Sequence, residues 1–206
     1  MSLNSPGACI REDSKLEFIS FVRGTNSDHQ GKNQTGKHYR SLVGSINFAH
    51  TQPKEKVEGY SHVEIWKAMD AEKMCNTIME QIGDVDYAAI EGFSYGSRGN
   101  SGLDLAGYSY VLRTLLAKKI GYEKVKIYAP SQIKKTAGKG NAGKPQIMEF
   151  FMGWQDEDLR EHPLWKGLTD GTIDKIRKPI DDIVDAFFVQ ETLRRDIVSI
   201  INAKID

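Results

Sequence analysis

Three acidic side chains in this sequence stand at positions where they could hold a divalent cation. Glu91 ends the apolar run 85–90, at the start of a Gly-rich turn, and Asp182 and Asp185 open the last apolar segment. Residues three apart on a helix share one face, so the two aspartates would repel each other, and a divalent cation would relieve that repulsion. The acids also have ordinary explanations, since a turn carboxylate can be solvated and acids are favoured in a first helical turn, where Asp181 would be the N-cap.

Basic residues gather ahead of these aspartates, although the whole chain is neutral. Lys plus Arg and Asp plus Glu number 28 each, yet the stretch 118–144 holds one acid, Glu123. Its lysines are Lys118, Lys119, Lys124, Lys126, Lys134, Lys135, Lys139 and Lys144. A local basic surface binds phosphates because charge acts over about one Debye length, roughly 8 Å at physiological salt. The alternative is a solvated lysine-rich face.

Two other patterns bear on phosphate and metal binding. The segment 138–144 formally fits the GxxxxGK phosphate loop, but Pro145 replaces the Ser or Thr that would bind Mg²⁺ and no buried strand precedes it. We therefore reject a nucleotide-binding loop and keep a Gly-rich loop that can donate N–H groups to a phosphate backbone. The histidines lack the spacing of a zinc site.

Two aromatic residues follow Glu91 in its turn. Phe93 and Tyr95 are more typical of core residues than of binding groups. On a turn, however, such rings could wedge against an unstacked base. Both interpretations stay open at this point.

Short alternating strands and helices must position these residues. Apolar, β-rich stretches predict strands at 16–22, 85–90 and 125–128, with a weaker one inside 42–48. Helical periodicity and end signals predict helices at 65–82, 103–116, 145–152 and 179–201. The stretches 24–37 and 153–178 are polar and are predicted to be irregular. This order is typical of an α/β domain with a mainly parallel sheet, or a mixed sheet that begins with a hairpin.

Length and composition limit the class of protein. At 206 residues the chain can bury a sheet between helices in a single domain. Cys9 and Cys75 form no CxxC pair, no secretory leader is visible, and no apolar run approaches the roughly 20 residues needed to cross a bilayer. These features predict a cytoplasmic protein with free thiols and no membrane partner.

Four segments, in this order, resemble the RuvC-type Holliday junction resolvases of the ribonuclease H-like nuclease superfamily. They are Ser2–Gly7, Ile90–Gly92, Pro130–Lys144 and Asp182–Ala186. The last two are the more specific, and neither 24–62 nor 153–178 has a counterpart. The resemblance implies one RNase H-like domain over 1–206, with a central mixed sheet flanked by helices and a polar insertion or hairpin around 24–62. The polar character of the chain favours a phage or viral branch.

The resemblance also implies a chemistry. Glu91, Asp182 and Asp185 would hold two Mg²⁺ ions, or Mn²⁺, about 4 Å apart, and hydrolyse a phosphodiester bond of a Holliday junction or other branched DNA. Lys144 would neutralise the phosphate. Further DNA contacts would come from Lys134, Lys135, Lys139, Phe93 and Tyr95. Specificity would follow DNA shape, and a homodimer would place two sites on symmetric strands.

One departure from the family leaves alternatives open. The first strand of the family ends in an Asp just before the Ser-Leu turn, and here Met1 precedes Ser2. Either the chain is a truncated or mis-started version of an active enzyme, or it is a DNA-binding descendant without catalysis. An RNase H-like nuclease acting on flaps or RNA–DNA hybrids is a third interpretation. Asp13 falls in the next turn and is not expected to replace the missing Asp.

Overall fold

The computed structural model of this protein describes residues 6–24, 34–51, 55–93, 100–173 and 178–203, and within these ranges the chain is a mixed α/β protein. Its strands are β1 (Gly7–Glu12), β2 (Lys15–Arg23), β3 (Asn47–Thr51), β4 (Ala88–Glu91) and β5 (Val125–Tyr128). Its helices are α1 (Gln34–Ser41), α2 (Tyr60–Gln81), α3 (Asn100–Ile120), α4 (Pro130–Ala137), α5 (Lys144–Met152), α6 (Glu157–Glu161), α7 (Pro163–Asp170) and α8 (Ile180–Asn202).

The strands form two small sheets. In the first sheet β2 is the middle strand, antiparallel to β1 and parallel to β3. The tight β1–β2 turn places Asp13 at a φ of 50°, a left-handed conformation that Asp tolerates better than most residues. In the second sheet β4 and β5 are parallel, with Glu91 opposite Tyr128. The predicted single central sheet is therefore observed as two sheets in the described residues.

Helices cover both faces of the first sheet. Leu16 and Phe18 of β2 belong to a core cluster that is completed mainly by α4, α5 and α8. Ile19 and Phe21 belong to a second cluster, completed by α2, α3 and Ile90. A strand that is buried on both faces has a nearly continuous apolar sequence. This explains why apolar and polar residues alternate so little within 16–22.

The second sheet lies between the same two clusters. Ala89 and Tyr128 pack in the cluster that contains α8, whereas Ile90 and Val125 pack in the cluster that contains α2 and α3. Side chains alternate between the two faces of a strand, so Glu91 follows Ala89 and faces α8. This alternation determines which helix the strand-end carboxylate meets.

A buried ionic network fastens α8 to β1 and α6. The Arg11 guanidinium donates to Asp158 at 2.6 Å and to Asp156 at 2.8 Å, and it lies 3.4 Å from Glu191. Glu191 is fully buried and also pairs with Arg194 at 2.8 Å. Because two guanidinium groups pair with the one buried carboxylate, the charge is compensated where α8 crosses the sheet.

Several sequence predictions agree with the observed elements. The strands at 16–22 and 125–128 are confirmed as β2 and β5, and the strand predicted at 85–90 begins later, at Ala88. The predicted helices at 65–82, 103–116, 145–152 and 179–201 correspond to α2, α3, α5 and α8, with ends shifted by up to five residues. The prediction of free thiols holds for Cys9 and Cys75. None of the described helices has the length and apolar character of a membrane span.

Other predictions were wrong. The stretch 153–178, expected to be irregular, contains α6 and α7, because Asp156 caps α6 by accepting from the Leu159 N–H at 2.9 Å and His162 caps α7 through the Leu164 N–H at 3.1 Å. Strand β1 and helix α4 were not predicted. Strand β1 has six residues and helix α4 has eight, and segments this short show no clear period.

The segment 24–62 is also corrected. The strand expected within 42–48 is β3, which begins only at Asn47. In the described part of this segment, residues 34–51 form α1 and β3 and Tyr60 begins α2, with no hairpin, and β3 extends the first sheet in parallel beside β2. Residues 25–33 and 52–54 lie outside the described part of the chain.

The start of β1 lies so close to α8 that only glycine fits. A Cβ at Gly7 would lie 2.6 Å from the carbonyl oxygen of Asp182, and this oxygen belongs to the helix backbone. We expect Gly7→Ala to lower the free energy of unfolding by about 1–3 kcal/mol, as overpacking does. Gly107→Ala is the control: a Cβ there meets nothing within 4 Å on α3, so helix propensity should raise stability by up to about 1 kcal/mol. Urea unfolding measures the free energy of unfolding of both variants. Equal changes in the two variants would contradict the close contact between Gly7 and the Asp182 carbonyl.

Candidate active site

The first turns of α8 carry three aspartates in different environments. The residue before the helix is Pro179, so the prediction that Asp181 caps the helix was wrong. Asp181 lies inside the first turn, where its carboxylate accepts from the Asp182 N–H at 3.1 Å and from the Lys144 ammonium at 2.5 Å. Asp182 pairs with Lys178 at 3.2 Å. The side chains of Asp181 and Asp182 are 15% and 10% exposed.

Asp185, one turn further along, is the perturbed acid of the site. Burial raises its pKa from 3.8 to about 6, with further increases from the charges of Glu91 and Asp182 and a decrease from Lys144. Among the described residues its carboxylate accepts no hydrogen bond and forms no ion pair. A carboxyl group left in this state has a pKa within reach of neutral pH, which is frequent at functional sites.

Glu91 approaches the aspartates from the sheet. It ends β4, and the pairing continues one residue further, where the Gly92 N–H donates to the Tyr128 carbonyl at 2.7 Å. Glu91 is half-buried, and its charge is the second cause of the raised Asp185 pKa. The structure therefore brings Glu91, Asp182 and Asp185 into one electrostatically coupled group. Within the described ranges, however, no three His, Cys, Asp or Glu side chains are compact enough to enclose an ion.

Lys144 is the cation of this group. It begins α5, with Pro145 next in the first helical turn and the Gln146 side chain accepting from the Gly143 N–H at 3.0 Å. Its hydrogen bond to Asp181 raises its pKa, and its side chain remains 62% exposed. A small cleft is shared by Lys144 and two of the aspartates, and it is lined by Lys144, Asp181, Asp185, Ile147, Met148 and Val184.

Sequence reasoning missed two residues that contact or influence the aspartates. Lys178 immediately precedes the proline and pairs with Asp182. Tyr39 comes from the segment without a family counterpart, and its pKa is raised first by burial and then by the charge of Asp182. The Tyr39 ring is fixed against Phe48 with a centroid distance of 5.4 Å. The sequence signal for Lys178 was its spacing of four from Asp182, whereas nothing local pointed to Tyr39.

The predicted DNA-contacting lysines lie on α4 and the loop after it. Lys135 and Lys139 are exposed, Lys134 is half-buried, and none of them forms an ion pair with another described residue. Helix α4 contacts α8 through the hydroxyls of Thr136 and Thr192, 2.9 Å apart. Lys144 meets α8 at Asp181 and α4 meets it at Thr192, and these two contacts are about 16 Å apart along the helix axis.

Of the two aromatic residues expected to contact DNA, Phe93 belongs to the described part of the chain and Tyr95 does not. Phe93 lies just beyond β4, with its ring centroid 5.7 Å from that of Tyr110 on α3. The Arg113 guanidinium lies 4.8 Å from the centre of the Phe93 ring. Phe93 is therefore on the α3 side of the sheet end, while Glu91 faces α8. Tyr95 lies outside the described residues.

The raised pKa of Asp185 makes a prediction about stability without metal. A carboxyl group whose pKa is higher in the folded state than in the unfolded state stabilises the fold at low pH. This stabilisation is complete below about pH 4 and is lost as the pH rises through about 6. Asp185→Asn removes this loss of stability, so at pH 8 in EDTA we expect the variant to have a free energy of unfolding about 3 kcal/mol above that of the wild type. Near pH 3.5 the two should differ little.

Denaturant unfolding at a series of pH values measures this difference. Asp84→Asn is the matched control, because the Asp84 side chain is fully exposed at the opposite end of the β4 region. A stability difference for Asp185→Asn that stayed constant with pH would contradict the buried, proton-holding state of Asp185.

Comparisons with known proteins give no assignment. No family model, no curated protein and no solved structure matches this chain. A function has to be inferred from the coupled carboxylates, their lysines and the fold that holds them.

Proposed function

We propose that this chain is an RNase H-like, Mg²⁺-dependent endonuclease that cleaves four-way junctions or other branched DNA. The observation that carries the proposal is the placement of Asp185 beside Glu91 and Asp182, where burial first and then the charges of these two acids raise its pKa to about 6. These acids come from a strand end and a helix start far apart in sequence, so local sequence preference does not account for their meeting. Their order along the chain agrees with the resemblance to RuvC-type resolvases.

The donor set fits a hard divalent cation. Glu91, Asp182 and Asp185 offer carboxylate oxygens, which Mg²⁺ prefers and which Mn²⁺ also accepts. Asp185 is buried among like charges and accepts no hydrogen bond from the described residues, so bound positive charge would stabilise its ionised form. When bound there, the cation would supply Lewis acidity to the phosphodiester and to the attacking water. The three carboxylates would have to approach one another to enclose the ion.

Lys144 has the exposure and position to serve the phosphate. Its ammonium is held by Asp181 at 2.5 Å, beside the coupled acids, and its side chain is largely exposed. If the Lys144 ammonium exchanged Asp181 for a phosphate oxygen, its positive charge would remain paired. It would then neutralise the negative charge that develops in the transition state. Lys134, Lys135 and Lys139 would contact the adjoining backbone, as phosphate contacts that position the substrate without reading its sequence.

The preference for branched DNA and the homodimer rest on the resemblance. A two-fold symmetric dimer would present two equivalent sites to the symmetric strands of a four-way junction. Recognition would depend on the shape and deformability of the junction. Cleavage of a cruciform plasmid to linear product within one binding event would support the dimer, whereas nicking alone would count against it.

A second candidate is a DNA-binding protein without catalysis. It is favoured by the absence, in the described ranges, of a group of acids compact enough to enclose an ion, together with lysines that lack acidic partners there. This candidate shares the basic surface with the first and differs from it in metal dependence. Cleavage measurements separate the two.

The proposal predicts metal-dependent cutting that needs Asp185. In Mg²⁺ the wild type should cleave a mobile four-way junction faster than a flap, an RNA–DNA hybrid or a linear duplex, and EDTA should abolish the reaction. We expect Asp185→Asn to lower the single-turnover rate by on the order of 10²-fold or more, and Lys144→Met by on the order of 10-fold. Asp84→Asn, which removes an exposed acid far from the site, should cut like the wild type.

The outcomes divide the candidates clearly. Junction binding with no cutting in Mg²⁺ or Mn²⁺ favours the non-catalytic protein. Faster cutting of the hybrid or flap moves the substrate assignment to those structures. Cutting by Asp185→Asn at the wild-type rate would remove the carboxylate mechanism.

The lysines predict a change in the salt dependence of binding. Each of Lys134→Ala, Lys135→Ala and Lys139→Ala should weaken junction binding similarly for all sequences and reduce the slope of log affinity against log salt by about 1. Lys15→Ala is the control, since Lys15 is exposed at the β1–β2 turn, the end of β1 remote from α8's first turn. Fluorescence anisotropy in EDTA gives the slopes. Equal slopes for the α4 variants and the wild type would contradict a phosphate role.

A further inference from the structure

The first turn of α8 holds an acid to which the proposed mechanism gives no role of its own, Asp181. Both oxygens of its carboxylate are engaged, since Oδ1 accepts from the Asp182 N–H at 3.1 Å and Oδ2 accepts from the Lys144 ammonium at 2.5 Å. The dipole of a helix favours an ionised carboxylate at its N-terminus. Asp181 is therefore an oriented anion at which the Lys144 side chain ends.

Lys144 has a second acid within reach. Asp181 and Asp185 are four residues apart on α8, so they share one helix face with their Cβ atoms about 6 Å apart. Both acids line the same small cleft as Lys144. The flexible four-carbon stem of a lysine can carry its ammonium over such a distance. The cleft therefore offers Lys144 two alternative carboxylates.

The ammonium lies on Asp181 and leaves Asp185 without an ionic partner. Among the described residues the Asp185 carboxylate forms no ion pair and accepts no hydrogen bond, although the charge of Lys144 acts on it. Removing a carboxylate from water is costly unless the group is paired. If Asp181 were neutral, the ammonium would therefore stabilise the fold by pairing with Asp185.

The choice between the two carboxylates matters for a divalent cation. Asp185 is one of the three acids whose oxygens fit Mg²⁺, and Asp181 is not. An ammonium on Asp185 would occupy the place of the cation and would have to leave before the metal could bind. If Lys144 covered Asp185 for about nine-tenths of the time, the apparent metal affinity would fall about 10-fold.

We propose that Asp181 is a positioning residue, which holds the Lys144 ammonium at the rim of the cleft and thereby keeps Asp185 open to a divalent cation. This inference rests on the proposed nuclease function for the identity of the cation. The placement of the lysine rests on the Lys144–Asp181 contact alone. Held there, the Lys144 side chain is 62% exposed, so a phosphate oxygen can reach its ammonium.

The stability gained from Asp185→Asn at pH 8 in EDTA reports where the ammonium lies. This gain is the shift in urea midpoint that Asp185→Asn causes in a given chain. Lys144→Met should leave the gain close to its wild-type value, because Lys144 is engaged by Asp181. In Asp181→Asn the ammonium moves to Asp185, so the gain should fall by roughly half or more. Adding Lys144→Met to Asp181→Asn should restore the gain, and Asp181→Glu, which keeps the carboxylate, should retain it.

Glu161→Gln is the matched control for the loss of an ion pair. Glu161 ends α6 and pairs with Lys166 of α7 at the same 2.5 Å, and neither residue lines the cleft. Glu161→Gln should leave the gain from Asp185→Asn unchanged. An equal gain, or none, in the wild type, both single variants and the double variant would overturn the positioning role. So would a loss in Asp181→Asn that Lys144→Met does not reverse.

Binding of Mn²⁺ measures the consequence for the metal without any cutting. In calorimetric titrations Asp181→Asn should weaken Mn²⁺ binding by on the order of 10-fold. In chains that carry Lys144→Met, the same substitution should change the affinity by less than about 2-fold, because the competing ammonium is gone. Equal weakening with and without Lys144 would make Asp181 a direct contributor to the metal site and would overturn its action through the lysine.

The positioning role and the endonuclease assignment fail in different ways. Suppose that the wild type binds no Mn²⁺ and cuts nothing in Mg²⁺, while Asp181→Asn loses the stability gain and Lys144→Met restores it. The placement of Lys144 by Asp181 then stands and the endonuclease assignment falls. If the wild type cuts junctions and the gain is equal in all the chains, the endonuclease stands and the positioning role falls.

Discussion

The packing of α8 across both sheets is the contact on which the rest of the structure depends. The helix contacts β1 and β2 of the first sheet and β4 of the second. It does so with fully buried side chains that include Ile183, Phe187 and Phe188. Truncation of a buried phenylalanine typically lowers the free energy of unfolding by about 3–5 kcal/mol. The buried face of α8 therefore contributes strongly to holding the two short sheets between the two core clusters. The first turns of the helix are thereby held beside β4, which places Asp185 within the electrostatic influence of Glu91.

Two buried acids on α8 show how differently the chain treats buried charge. Glu191 is fully buried and has Arg11 and Arg194 as ionic partners, an arrangement that compensates the charge locally. Asp185 lies less than two turns earlier, is half-buried, and has like charges as its neighbours along with Lys144. If burial of Asp185 served stability alone, an arginine partner of the kind that Glu191 has would be expected. The unequal treatment of the two acids is the physical reason for assigning a function to one and a structural role to the other.

The sequence predicted the parts of this arrangement that depend on local pattern. The apolar run of β2 and the periodic helices α2, α3 and α8 gave strong signals because their buried faces repeat along the chain. Helix α4 and the short helices α6 and α7 gave none, since their ends are defined by single capping side chains such as Asp156 and His162. The convergence of Glu91 with Asp182 and Asp185 was expected from the family resemblance. The positions of Tyr39 and Arg113 depend on tertiary packing, and no spacing along the sequence could reveal them.

The sheet end separates the two halves of the proposed site. Glu91 faces α8, whereas Phe93 contacts Tyr110 on α3, so the carboxylates and the Phe93 ring lie on different sides of one layer. Packed helices and stacked sheets in proteins lie roughly 10 Å apart. Groups on opposite sides of one layer are therefore separated by a distance of this order. A phosphodiester at the carboxylates and a base at Phe93, one of the DNA contacts that the resemblance implies, would then belong to a strand that bends around the end of β4. Stacked duplex DNA resists such a bend because its bases stay together, whereas a strand at a branch point has already lost part of that stacking. In this arrangement, selectivity for branched DNA would follow from the position of the two half-sites without any contact that reads a sequence.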